Sequence, residues 1–166
     1  VYNAHTNLDR ANNGVNDELA KLLELKNPQV LVTEEYDDYG YGRVGDVKEQ
    51  NLKDYLNLIK KRLNTDFLIV YGETDILVKR VAVCGGSGSD FIYDAYKKGA
   101  SIYVTGDIKY HDAQYGTGLG ITIIDAGHYS TEKVILPVIK EYLEKNIAED
   151  IYIEIWEEPS PPYNIF

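Results

Sequence analysis

Apolar residues fall in short runs separated by polar or glycine-rich stretches, and the period of the runs changes along the chain. Val15 to Leu25 places Leu19, Leu22 and Leu23 on one face of a helix, and Asn51 to Leu63 repeats the pattern through Leu52, Leu56, Ile59 and Leu63. Phe67 to Tyr71, Val81 to Cys84, Ser101 to Thr105 and Ile121 to Ile124 are short, apolar and mostly rich in β-branched residues, which predicts strands. A helix is expected from about Ser89 to Lys98, closed by Gly99, and a longer one from Thr131 to Lys145 with Val134, Val138 and Tyr142 on its buried face. Val1 to Thr6 reads as a strand end, and Ile151 to Ile155 alternates as a last strand. Residues 34 to 46, EEYDDYGYGRVGD, have no clear period and read as a loop and lobe boundary.

Strands alternating with helices predict an α/β sheet, largely parallel in its centre. Such sheets carry function at the carboxyl ends of their strands. Two polar sequences, TGD at 105 to 107 and DAGH at 125 to 128, fall at such ends.

Composition narrows the partners. The 166 residues suffice for one substantial core, as one domain or two closely packed lobes. With 27 acidic against 17 basic residues the formal charge is −10 and no basic stripe stands out, so duplex nucleic acid is an unlikely general partner. Some of the acids can instead attract cations. The single Cys84 excludes an intrachain disulfide and suits a reducing compartment. No run approaches a membrane span and the first residues lack a signal-peptide pattern, so a cytoplasmic location with no membrane partner is the default. The chain has no Met even at its start, as an internal or processed piece would.

Each of the three histidines lies four residues from a carboxylate: His5 with Asp9 in HTNLD, Asp107 with His111 in GDIKYH, and His128 with Glu132 in DAGHYSTE. Imidazole and carboxylate are the usual ligands of zinc, manganese and non-haem iron, and an i, i+4 pair presents both groups from one helix face. Ordinary structural roles compete at every pair. Glu132 can simply favour the positive end of a helix dipole, with Ser130 or Thr131 as the cap. Asn7 and Asp9 can serve turn hydrogen bonds. Asp107, His111 and Asp112 can act as ligands, as partners of ligands or as an acid/base set, and Lys109 can pair with an anion or simply be solvated.

The run CGGSGSD from Cys84 to Asp90 lies between a strand and a helix. Backbone N–H groups in such a turn can cradle a phosphate. It lacks the Gly-Lys-Ser/Thr ending of a Walker A loop, and a tight strand-to-helix turn, with Cys84 a buried strand residue, explains the glycines equally well.

Taken in order, HTNLD, GRVG at 42 to 45, VAVCGGSGSDFI at 81 to 92, TGDIKYHDA at 105 to 113 and IDAGHYSTE at 124 to 132 resemble the Ngg-interacting-factor-like family, over nearly the whole chain. Bacterial members of that family carry the name GTP cyclohydrolase 1 type 2 homologue.

The resemblance implies a two-lobed α/β fold with mixed, largely parallel central sheets flanked by helices. It also implies two divalent metal ions (zinc, iron or manganese) and assembly as a toroidal homohexamer. Asp9, His128 and Glu132 match the family's metal ligands, Glu132 in the bridging role, and His5 and His111 match positions with supporting or acid/base, hence catalytic, roles. The activity implied is metal-dependent hydrolysis of a small-molecule or nucleotide substrate. The competing class is a non-catalytic, metal-stabilised ring that binds protein or nucleic acid, for which the tyrosines of residues 36 to 41 would be an interface.

The chain departs from the family in two places. The adjacent histidine pair expected upstream of HTNLD is not in it, and QYGTGLG at 114 to 120 is richer in glycine than the expected helix. The expected organisation is therefore the remainder of a first lobe at 1–33, without its N-terminal part, a second lobe at 34–146, and a strand and tail at 147–166 returning to the first lobe.

Overall fold

Alternation of the two periods resolves into six strands in one sheet with helices on both faces. The computed structural model describes residues 1–33 and 39–156. In chain order the elements are α1 (Thr6–Arg10), α2 (Val15–Leu22), β1 (Lys26–Thr33), β2 (Gly40–Asn51), α3 (Leu52–Leu63), β3 (Ile69–Tyr71) and β4 (Leu77–Ser87). A 3-10 turn leads into α4 (Ile92–Lys97), followed by β5 (Ile102–Gly106), α5 (Tyr110–Leu119), β6 (Thr122–Asp125) and α6 (His128–Glu132). A second 3-10 turn then joins α7 (Leu136–Asn146).

The sheet order is β1-β2-β4-β5-β6-β3. Only the β4–β5 and β5–β6 pairings are parallel, while β1–β2, β2–β4 and β3–β6 are antiparallel. The sheet is thus mixed, with its parallel part in the interior, as the alternation of strands and helices predicts.

Side-chain alternation along the strands builds two cores. Val81, Val83, Ile102, Val104 and Ile124 face one way and pack with Leu19, Leu23, Tyr55, Ile59 and Leu63 of the α2 and α3 region. Ala82, Cys84, Tyr103 and Ile123 face the other way, against Ile92 and Ala95 of α4 and Ala113 of α5. Each fully buried large aliphatic side chain contributes about 1.5–3 kcal/mol, so this alternation fixes the register. Helix α3 shows the local logic: the Asn51 side chain accepts from the Asp54 N–H at 2.9 Å, and Asn64 closes the helix in the left-handed region at φ 49°.

Five stretches differ from the sequence reading. The helix expected over Thr131 to Lys145 is divided into the end of α6, a 3-10 turn and α7, and Tyr142, expected on its buried face, is exposed. Val1 to Thr6 is not a strand, and Thr6–Arg10 is a helix instead. Residues 40–46, expected in a loop, belong to the long strand β2. Their period is hidden because Val44 and Arg43 are both buried and glycines occupy 40, 42 and 45. The expected loop also covers 34–38, which lie outside the described residues. Strand β1, not anticipated, pairs with β2 across the expected lobe boundary, Thr33 lying opposite Gly40. Its first half, Lys26 to Gln29, is polar and exposed, which masks the strand pattern. Residues 151–155 alternate in sequence but form no strand, because none of the described sheet edges pairs with them.

Candidate functional site

Three strand ends and one short helix meet where the polar sequences fall. Strand β6 ends at Asp125, whose carboxylate accepts from Ile108 N–H and Gly127 N–H, both at 2.9 Å. This ties the turn before α6 to the loop after β5. Gly106 ends β5 backbone to backbone against α6: a Cβ there would lie 2.6 Å from the His128 nitrogen, so only glycine fits.

His128 opens α6 and Glu132 ends it, four residues on and on the same face. His128 Nε2 lies 3.1 Å from Glu132 Oε1, and Nδ1 lies 2.7 Å from Asp107 Oδ2. Asp107 reaches back in the left-handed region, at φ 56°, a conformation that Asp tolerates better than most residues. Burial lowers the His128 pKa, but the hydrogen bond to Asp107 and the charges of Glu132 and Asp107 outweigh it, so the net shift is upward.

Asp9, on α1, approaches the same place from the other side of the chain. Its carboxyl pKa is raised, first by burial and then by the negative charge of Glu132, while His5 and His128 pull it down. His5, Asp9 and Glu132 also line one cavity of about 400 Å³, whose remaining wall includes Leu8, Val15, Ile135, Leu136 and Ile139. Lys133 lines it too, with its ammonium 5.1 Å from the centre of the Tyr129 ring.

The glycine run is the floor of this cluster. Gly86 has φ 68°, and a Cβ on it would collide with Glu132 Oε1 and come within 3.3 Å of His128 Nε2. Its N–H donates to Thr131 Oγ1 at 2.9 Å, that of Gly85 to Asn16 Oδ1 at 3.0 Å, and that of Gly88 to Thr105 Oγ1 at 3.0 Å. These N–H groups are therefore engaged by buried side chains and do not form a phosphate cradle. Cys84, just before them, is buried, and its thiol pKa is pushed up to about 12 by that burial, as expected of a strand residue.

Of the five residues expected at a site, the structure brings His5, Asp9, His128 and Glu132 together. His111 is not among the residues that line that cavity; it is exposed on the first turn of α5 with its ring edge-on to Tyr110, centroids 5.4 Å apart. Asp107, named in the sequence as a ligand, a partner of a ligand or an acid/base group, joins them as the partner of His128, and Asn16 emerges as a further member. The Gly-Asp step at 106–107 signals the Asp107 turn, whereas nothing local marks Asn16, which reads as an ordinary polar helix position.

Whether a cation fits can be judged from the donors. Two carboxylates of which one is destabilised by the other's charge, next to an imidazole, form a set that a divalent cation would relieve. Among the described residues, however, no three His, Cys, Asp or Glu side chains close around one point as a complete shell would. Holding a cation at Asp9, His128 and Glu132 would therefore take further donors. Among the same residues no helix is long and apolar enough to cross a membrane.

A mixed sheet bearing a histidine–carboxylate cluster at the ends of its parallel strands defines the class: an α/β protein with a candidate polar site at strand ends. The family model Duf34/NIF3 (NGG1p interacting factor 3) matches residues 1–161, and the chain belongs to that family.

Among its relatives, the GTP cyclohydrolase 1 type 2 homolog of Clostridium perfringens is 32% identical over 165 residues, covering 98% of this chain and 63% of that protein. The protein of the same name from Nostoc sp. is 40% identical over 148 residues, covering 87% and 55%. Among solved structures, reduced HcgD from Methanocaldococcus jannaschii superposes with a TM-score of 0.73 at 38% identity, covering 88% of this chain and 57% of that one. A Bacillus cereus protein related to NIF3 reaches a TM-score of 0.91 at 23% identity, covering 99% and 73%, a likeness of fold. The chain spans 55% to 63% of the length of these two curated relatives.

Proposed function

We propose that this protein binds divalent metal through Asp9, His128 and Glu132 and acts as a metal-dependent hydrolase on a small-molecule or nucleotide substrate. The observation that carries the reading is the meeting of Asp9 and Glu132 on the wall of one cavity, with His128 Nε2 3.1 Å from Glu132; burial and then the charge of Glu132 raise the Asp9 carboxyl pKa. A dinuclear centre needs more donors than these three. That part of the reading, like assembly as a toroidal homohexamer, rests on the family resemblance, which places a histidine pair upstream of HTNLD.

A bound cation would supply Lewis acidity near neutral pH. The chain's own residues divide the remaining work. Asp107 holds His128 by Nδ1 and so aims Nε2 at Glu132 and the ligand side. His5, on the cavity wall beside Asp9, is placed to accept or donate a proton at its imidazole. His111, outside that cavity wall, is proposed in the same role only by its match to the family position. Leu8, Val15, Ile135 and Leu136 exclude water from one side.

A second reading, a non-catalytic ring stabilised by metal, draws on one observation. Large aromatic groups are exposed, among them Tyr110, Tyr142, Tyr152 and Trp156, as on a surface covered by partners.

Elemental analysis of the full-length protein and of Glu132→Ala tests the main reading. Two equivalents per chain, falling in Glu132→Ala, are expected, and the absence of bound metal in the wild type would overturn it. Turnover of GTP or a phosphoester panel, lost in His128→Ala with the oligomer intact, favours the enzyme, whereas loss of assembly in His128→Ala favours the ring.

A further inference from the structure

The buried polar side chains supply the strongest observation outside the ligand set. Asn16 has no exposed surface, yet it sits in the first turn of α2 between two segments far apart in sequence. Its Nδ2 donates to the Asp9 carbonyl at 2.9 Å, and its Oδ1 accepts from Gly85 N–H at 3.0 Å. One partner can only accept and the other can only donate, so a single orientation of the amide satisfies both. No hydroxyl, carboxylate or aliphatic side chain offers that pairing at that reach.

Helix α1, which carries Asp9, cannot hold its own position. It has five residues, no side-chain cap and no buried residue. A helix so short has almost no stability of its own and takes its place from its tertiary contacts. Gly85, the other end of the bridge, adjoins Gly86, on which Glu132 and His128 rest. Asn16 therefore links the element bearing one ligand to the floor beneath the other two.

We propose that Asn16 is a positioning residue that fixes the separation of Asp9 from the His128–Glu132 pair, and thereby sets the affinity of the site for a divalent cation. This rests on the metal-binding reading above. Removing the amide takes away the hydrogen bond that ties the Asp9 carbonyl to α2 and leaves α1 held by other contacts such as Arg10 over the Tyr41 ring, so the ligand carboxylate is delivered by a more loosely held segment. Small displacements of one ligand are enough to weaken a coordination sphere.

The test is Mn²⁺ affinity of the full-length protein, measured by chelator competition, for wild type, Asn16→Leu and a core control. The control is Ile59→Val or Ile59→Ala on α3, whichever matches Asn16→Leu in metal-free Tm, and Asn16→Ser replaces the Leu variant if that does not fold. Mn²⁺ binding weaker by about fivefold or more than in the matched control, the effect of one lost hydrogen bond, is expected. Affinity equal to that of the control would overturn the positioning role while leaving the metal reading intact. No Mn²⁺ bound by the wild type would remove the metal reading and this role with it.

Discussion

His128 shows how much a single side chain depends on its neighbours. Both ring nitrogens face carboxylates, Asp107 at 2.7 Å and Glu132 at 3.1 Å, and its pKa is raised from 6.5 although burial opposes the shift. Because the folded-state pKa is the higher one, the metal-free imidazolium contributes stability that is fully present below the ordinary value near 6.5. That contribution is lost as pH rises through the folded pKa. Metal requires the neutral ring, so Mn²⁺ affinity should rise with pH over the same window. In Asp107→Asn the titration midpoint of the His128 ring signals, followed by NMR in metal-free protein, is expected to fall. An unchanged midpoint would show that Asp107 does not govern the ring. The i, i+4 spacing of His128 and Glu132 was legible in sequence, because a helix brings such residues together whatever surrounds it. The partnership with Asp107 was less so, since it crosses from one strand end to another.

At the scale of elements, the glycine-rich end of β4 is the decisive feature. CGGSGSD reads equally as an anion cradle or a tight turn, because glycine permits both. The structure resolves this through partners supplied by three other elements: Asn16 from α2, Thr131 from α6 and Thr105 from β5 take up the N–H groups of Gly85, Gly86 and Gly88. Gly86→Ala makes the point testable. An alanine at φ 68° costs about 1–2 kcal/mol, or roughly 2–8 °C in Tm for a chain of this size. Its methyl would also push the flexible Glu132 carboxylate aside, so metal content should fall together with Tm. A stability loss with full metal content would mean that Glu132 is not a ligand. Strand β2 teaches a related lesson. Its buried Arg43, bonded to Asp17 and to the carbonyls of Gly40 and Gly42, looks polar in sequence and belongs to the interior only because those acceptors are gathered around it.

For the whole molecule, the surplus of acid matters most where two carboxylates share one cavity wall. Asp9 and Glu132 oppose each other in the metal-free state, so a divalent cation should stabilise the fold as well as complete the site. At a free Mn²⁺ concentration about 100 times Kd, the gain is about 2.7 kcal/mol, seen as a rise in Tm of roughly 5–10 °C. Calorimetry with and without Mn²⁺ measures it, and no rise would argue against a cation at this position.

The sequence by itself determined the α/β class, the three strand and helix pairs β4–α4, β5–α5 and β6–α6, and the two strand-end sequences where the polar cluster lies. These follow from periodicity and from local spacing, which act within a few residues and need no knowledge of the rest. Tertiary structure decided the antiparallel pairing of β1 and β2, the fate of the glycine run and the bridging place of Asn16. Each of these depends on groups brought close from distant parts of the chain, where hydrogen bonding and burial, rather than local propensity, set the outcome.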